Sequence, residues 1–125
     1  MLLSVKGLSA HYGRVQALSS VDIDAPEGSI VTLIGANGAG KSTFMMAVSG
    51  VLRSISGEIE YDGRRIDGLP SDEIVRLGLS QCPEGRRVWP RMTVLENLEM
   101  GAFSVGDATL ARDRLKRVYA HFPIL

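Results

Sequence analysis

At 125 residues the chain has room for a single domain with a buried core. Its 14 Lys and Arg residues balance 14 Asp and Glu, so charge gives no reason to expect a nucleic-acid partner. The lone cysteine, Cys82, excludes an internal disulfide and a cysteine metal cluster, and is expected to be a small core residue. No apolar run reaches the ~18 to 20 residues of a membrane span, and Met1-Leu-Leu-Ser-Val-Lys6 lacks the layout of a signal peptide. A cytosolic or peripheral protein is the expectation.

In chain order, Leu2 to Leu8 and Val21-Asp-Ile-Asp24 alternate apolar and polar residues and predict half-buried strands. Pro26-Glu-Gly28 makes a turn into the apolar run Ile30 to Ile34, which reads as a buried strand. Immediately behind it, Gly35-Ala-Asn-Gly-Ala-Gly-Lys-Ser-Thr43 spells a complete G-x-x-x-x-G-K-[ST] phosphate-binding loop. Gly35, Gly38 and Gly40 free the backbone to aim successive N–H groups, including those of Asn37 and Ala39, at phosphate oxygens. The anion then sits at a helix N-terminus, where the unpaired amides and the macrodipole favour negative charge. Lys41 supplies a point charge for the β- and γ-phosphates, Ser42 a hydroxyl for Mg²⁺, and Thr43 a donor to the α-phosphate. The helix that follows should bury Phe44, Val48, Val51 and Leu52, with Met45 and Met46 filling gaps.

Farther along, Gly57-Glu-Ile-Glu-Tyr61 is a strand closed by a hairpin turn at Asp62-Gly63. Ser71 can cap a short helix through Leu77 that Gly78 ends, and Leu79 to Cys82 reads as a core strand. Thr93-Val-Leu-Glu96 is a capping box opening a helix that carries Val94, Leu95, Leu98 and Phe103. A last helix from about Ala108 should bury Leu115, Val118, Tyr119 and Phe122. Strands and helices alternating around a phosphate loop predict an α/β fold with a mainly parallel core sheet, and the early strands predict an added antiparallel layer.

Together, Ser9-Ala-His-Tyr-Gly13, the loop from Ile30 to Thr43, and Gly57 to Gly63 resemble the ATP-binding subunits of ABC transporters. The segment Cys82-Pro-Glu-Gly-Arg-Arg-Val-Trp-Pro-Arg-Met-Thr-Val-Leu-Glu-Asn-Leu98 is similar to the branched-chain amino-acid importers of that superfamily. The resemblance implies a P-loop NTPase (ABC ATPase) core with an antiparallel N-terminal β layer, ATP and Mg²⁺ as cofactors, and transport-coupled ATPase activity. It implies a peripheral position on the inner face of the cell membrane, with permease subunits and a second ATP-binding subunit as partners and no nucleic acid. Within it, residues 1–92 correspond to the nucleotide-binding core and 93–125 to the start of the helical subdomain.

By the same resemblance Tyr12 takes the position of an aromatic that stacks on adenine, while His11 beside it is a surface residue. Where the superfamily carries a glutamine that senses γ-phosphate and metal, this chain has Glu84. A carboxylate only accepts hydrogen bonds, so Glu84 could hold a Mg²⁺-bound water without being the catalytic base. Gln81, three residues earlier, reads as structural. Arg86, Arg87 and Trp89 form a basic and aromatic cluster where the family receives a short permease helix.

The Leu-Ser-Gly-Gly-Gln signature, the strand ending in Asp-Glu and the switch histidine do not occur in these residues; Leu79-Ser-Gln81 is a superficial echo, and His121 lies at a helix end. The resemblance therefore covers about the first half of the family's domain, an incomplete cassette. Nucleotide binding without appreciable turnover, and sheet edges and helix faces left uncovered, are the expectations. Alternatives are a urea or amide importer ATPase and a P-loop phosphotransferase; an Asn-Lys-x-Asp guanine motif is absent.

Overall fold

The computed structural model describes all residues from Met1 to Leu125. They form two compact units, Met1–Gln81 and Cys82–Leu125. In the first, strands β1 (Leu3–Tyr12), β2 (Val15–Ala25), β3 (Ile55–Tyr61) and β4 (Arg64–Arg65) make one sheet in the order β2-β1-β3-β4. Every ladder is antiparallel. Helix α1 (Lys41–Val48) follows the loop, and α2 (Ser71–Arg76) follows β4.

The first two strands are longer than the alternation predicted, because a two-residue turn at Gly13-Arg14 joins them, with Tyr12 opposite Val15. Their core face changes parity along the way. Val5 is buried among odd positions, whereas Leu8 and Ala10 are buried among even ones. Register shifts between Val5 and Leu8 against β2, and between Lys6 and Ser9 against β3, account for the change. An added residue in a strand turns every later side chain to the other face. Gly7, at φ 60°, sits in the shift and donates its N–H to Asp22 Oδ1 at 2.6 Å. On β2 the same happens near Ser20 (φ 49°): Leu18 is buried, and then Val21 and Ile23 pack against the core.

The remaining core comes from Phe44, Ala47 and Val48 of α1, Ile59 of β3, Ile66, and Ile74 of α2. Full burial of a side chain such as Leu8 or Ile59 contributes about 1.5–3 kcal/mol. The α1 stripe is shorter than expected, since the helix stops at Val48 and leaves Val51 exposed; Met45 is also exposed. The Asp62-Gly63 turn is present with both residues at positive φ, 48° and 73°, as a tight hairpin of this kind requires. In α2 the N-cap is Pro70 rather than Ser71, which is the first helical residue; Gly78, at φ 106°, follows its last turn.

Two expected strands are absent. Ile30 to Ile34 is not hydrogen-bonded into the sheet, and Ile30 and Ile34 are almost fully exposed, although Leu33 packs against the core. Leu79 to Cys82 is likewise irregular, and Cys82 is exposed rather than a core residue. A buried parallel strand exists only with neighbours on both sides, and no strand of this chain pairs with either segment. The antiparallel layer is thus formed, while the parallel ladder is not.

The second unit holds α3 (Val94–Gly101) and α4 (Ala108–His121). The capping box on α3 is complete: Glu96 N–H donates to Thr93 Oγ1, and Glu96 Oε2 accepts from Thr93 N–H at 2.7 Å. Asp107 caps α4 by accepting from the amides of Thr109 and Leu110. A cavity of about 400 Å³ lies between these helices, lined by Leu98, Ala102, Val105, Leu115 and Val118 among others. Val94 and Leu95 lie on α3 and are exposed, Phe103 is exposed beyond the helix end at Gly101, and Phe122, which was expected to be buried, is exposed because this unit of 44 residues offers it no opposing layer.

The Thr93 backbone N–H, and then its hydroxyl, hold the Glu96 carboxyl below its ordinary range. The Arg65 guanidinium and then the Ile59 N–H do the same for Asp67, against an opposing effect of its partial burial. A folded pKa below the unfolded one contributes stability above the unfolded pKa that is lost as pH falls through the folded value. Acid should therefore fray the start of α3 as pH falls below the ordinary glutamate range and through the lowered Glu96 value. Glu96→Gln should flatten that pH dependence in amide hydrogen exchange at residues 94–97; an unchanged profile would contradict the assignment.

Candidate nucleotide site

The loop from Gly35 to Gly40 is built by its spelling. Gly38 and Gly40 sit at φ 85° and 94°, which side chains with a Cβ rarely adopt. Gly40 is needed for space as well, since a Cβ there would lie 2.7 Å from Leu18 Cδ2 and 3.0 Å from the Ala17 carbonyl. Gly35 differs from the expectation of an unusual conformation: its φ is not in the left-handed region, and its constraint is room, with a Cβ meeting Ala39 Cβ at 3.2 Å.

Gly40 is the N-cap of α1 and has no side chain with which to cap it. The first backbone bond of the helix runs from Phe44 N–H to the Gly40 carbonyl at 2.8 Å, so the amides of the first turn precede any acceptor within the helix. Such a terminus attracts an anion through directed donors and the helix dipole. Lys41, the first helical residue, bends back across the loop. Its Nζ donates to the carbonyls of Gly35 at 2.6 Å and Ala36 at 2.7 Å. The ammonium is therefore tied to the start of the loop through the Gly35 and Ala36 carbonyls.

Tyr12, at the end of β1, is partly exposed, and its hydroxyl lies 3.5 Å from Thr43 Oγ1. Tyr12 and the run Gly35 to Thr43 are thus gathered in the first unit, with Thr43 buried and Ser42, Asn37 and Ala39 exposed. Glu84, Arg86, Arg87 and Trp89 belong to the second unit. There Arg87 Nε donates to the Glu84 carbonyl at 3.2 Å, and Trp89 is about half exposed, at 51%. Gln81 accepts from the buried Ser49 hydroxyl at 2.7 Å, a structural contact. No group of three or more His, Cys, Asp or Glu side chains converges to hold a metal.

Residues 18–124 match the family model for the ABC transporter. The chain belongs to the ABC transporter family. Among curated members of that family, it is 51% identical over 102 residues to the high-affinity branched-chain amino acid transport ATP-binding protein BraG of Pseudomonas aeruginosa, covering 82% of this chain and 44% of that protein. It is 35% identical over all 125 residues to a probable branched-chain amino acid transport ATP-binding protein, LivF, of Archaeoglobus fulgidus, covering 52% of that protein. A solved ATP-binding subunit of an ABC transporter superposes with a TM-score of 0.83 at 31% identity, over 98% of this chain and 51% of the other. The chain thus spans about half the length of the ABC transporter relatives it matches. The antiparallel layer and loop seen here are part of that family's ATP-binding fold. No helix is long and apolar enough to cross a membrane.

Two features escaped the sequence reading. Leu18 and Ala17 form the wall behind Gly40, a contact between residues more than 20 positions apart that no local pattern announces. Asn97 stood in plain view inside Thr93 to Leu98, but only the capping box was legible there. Its side chain accepts from Trp89 N–H at 2.8 Å and donates to the carbonyls of Trp89, Met92 and Thr93.

Proposed function

We propose that the chain is the phosphate-binding half of an ATP-binding subunit that drives uptake of branched-chain amino acids through a membrane permease. The observation that carries this reading is the 51% identity to BraG across a segment that includes an intact phosphate-binding loop. The loop amides from Gly35 to Gly40 and the start of α1 surround the phosphates, Lys41 neutralises their charge, and Thr43 donates to the α-phosphate. Tyr12 presents a flat ring beside the start of α1 on which adenine can stack.

Mg²⁺ suits the oxygen donors of this chain: it keeps water and phosphate oxygens in most of its coordination and asks the protein for little. In this reading Ser42 gives one hydroxyl and Glu84 accepts from metal-bound water. Pairing with a second ATP-binding subunit brings that subunit's Leu-Ser-Gly-Gly-Gln signature to the phosphate loop of this one. The permease contacts the segment around Arg86, Arg87 and Trp89, which places the subunit on the cytoplasmic face of the membrane. Residues 1–92 act as the nucleotide-binding core and 93–125 open the helical subdomain.

Sugar import is the second reading with an observation behind it, because a ribose import ATP-binding protein of Rubrobacter xylanophilus is 38% identical over 100 residues. The lower identity places it behind amino-acid uptake. Deleting the gene in its host and measuring uptake of labelled leucine and ribose separates the two. Loss of leucine uptake alone, restored by the intact gene, is expected; unchanged leucine uptake would sink the proposal.

A further inference from the structure

Trp89 is the one tryptophan of the chain, and the segment that carries it has no helix or strand to hold it. Val88 N–H bonds to the Arg86 carbonyl, and Met92 N–H bonds to the Trp89 carbonyl at 3.1 Å. Gly85 and Arg86 both have positive φ, 85° and 47°, so the backbone here turns sharply. A half-exposed tryptophan on such a segment would ordinarily be loose, because ordering a residue's backbone costs about 1–2 kcal/mol.

Asn97 supplies what the backbone does not. It lies on the first turns of α3, which the Thr93–Glu96 capping box fixes independently. Its amide oxygen accepts from Trp89 N–H, and its amide nitrogen reaches the Trp89, Met92 and Thr93 carbonyls at 3.1, 3.3 and 2.9 Å. Both polar groups of Trp89's backbone are therefore clasped by one side chain eight residues away. Only a carboxamide offers a donor and an acceptor in this arrangement. Leucine would match its size and neither of its roles.

We infer that Asn97 is a positioning residue that presents Trp89 in a fixed orientation, so that the permease helix meets a preformed anchor. This rests on the reading of Trp89 as a permease contact. An anchor already ordered before association spares the entropy of ordering it at the interface. The clasp also ties the backbone bearing Trp89 to α3, so that a shift of α3 moves the anchor with it.

Trp89 is the single tryptophan of these 125 residues, so its fluorescence reports on its own environment once any tryptophan elsewhere in the intact subunit is replaced by phenylalanine. In the intact ATP-binding subunit, Asn97→Leu should raise collisional quenching of Trp89 by acrylamide about twofold, from half exposure towards full exposure. Helical circular dichroism should be unchanged. Asn97→Asp keeps the acceptor for Trp89 N–H and loses the donors, so it should fall between the two. Unchanged quenching with α3 folded would overturn the inference, and so would equal effects of Asp and Leu.

Co-purification with the permease then tells the two readings apart. Trp89→Ala and Asn97→Leu should each weaken capture, and the double variant should be no weaker than Trp89→Ala alone. If Trp89→Ala weakens capture and Asn97→Leu does not, the positioning role fails and the Trp89 contact stands. If neither weakens it, the Trp89 contact fails, and with it the positioning role inferred for Asn97.

Discussion

Gly57→Val is expected to destabilise the protein by about 3 kcal/mol or more. Gly57 is in β3 at φ 102°, facing the register shift of β1. A Cβ built there would fall 2.6 Å from the Gly7 carbonyl oxygen, 2.7 Å from its carbon, and 2.7 Å from the Lys6 carbonyl oxygen. These are backbone atoms, so no rotamer change relieves the clash. Gly7 is itself held by the Asp22 carboxylate, and its neighbours Val5 and Leu8 are fully buried, so β1 cannot retreat without opening the core. Gly68→Ala is the matched control, because nothing lies within 4 Å of its Cβ position. Urea denaturation should show a large fall in midpoint for Gly57→Val and a change within about 0.5 kcal/mol for Gly68→Ala. Equal midpoints would show that the bulge is not as rigid as its geometry.

Lys41→Ala should weaken ATP binding roughly 10- to 150-fold, the equivalent of about 1.5–3 kcal/mol for a hydrogen bond to a charged group. The magnitude is bounded because Lys41 already bonds the carbonyls of Gly35 and Ala36, and those contacts must be exchanged when phosphate binds. Lys41→Arg should also weaken binding, since a planar guanidinium does not replace a compact ammonium held between two carbonyls. Calorimetric titration checks both, and ATP affinity unaltered in Lys41→Ala would remove the lysine from the phosphate site.

What could be read from the sequence follows a physical line. Features set by a few adjacent residues were legible: the left-handed glycines 38 and 40, the helix beginning at Lys41, the Asp62-Gly63 turn, and the Thr93–Glu96 capping box. Each depends on local φ or on a side chain reaching three residues along. Features set by distant neighbours were not. Ile30 to Ile34 has the composition of a central strand, but pairing belongs to the partner strands and not to the segment itself. Cys82, Val51 and Phe122 were given burial by residue type, whereas burial depends on an opposing surface. The parity change in β1 was half legible, since Gly7 interrupts the alternation, but its register consequence needed β2 and β3 in place.

The same line divides the candidate site. Tyr12 and the loop from Gly35 to Thr43 were found by motif and resemblance, and the structure gathers them within one unit. Asn97 was passed over because a carboxamide near a capping box has no local signature. Its four bonds exist only once the chain from Trp89 to Thr93 has turned back on α3.

The central claim is that this chain holds a nucleoside triphosphate by its phosphates, and titration with ATP, ADP and AMP in the presence of Mg²⁺ tests it most directly. Saturable binding of ATP and ADP at one site per chain, with AMP much weaker, is the predicted result, because loop, helix terminus and Lys41 all act on the distal phosphates. AMP binding as tightly as ATP, or no saturable binding of ATP at all, would contradict it.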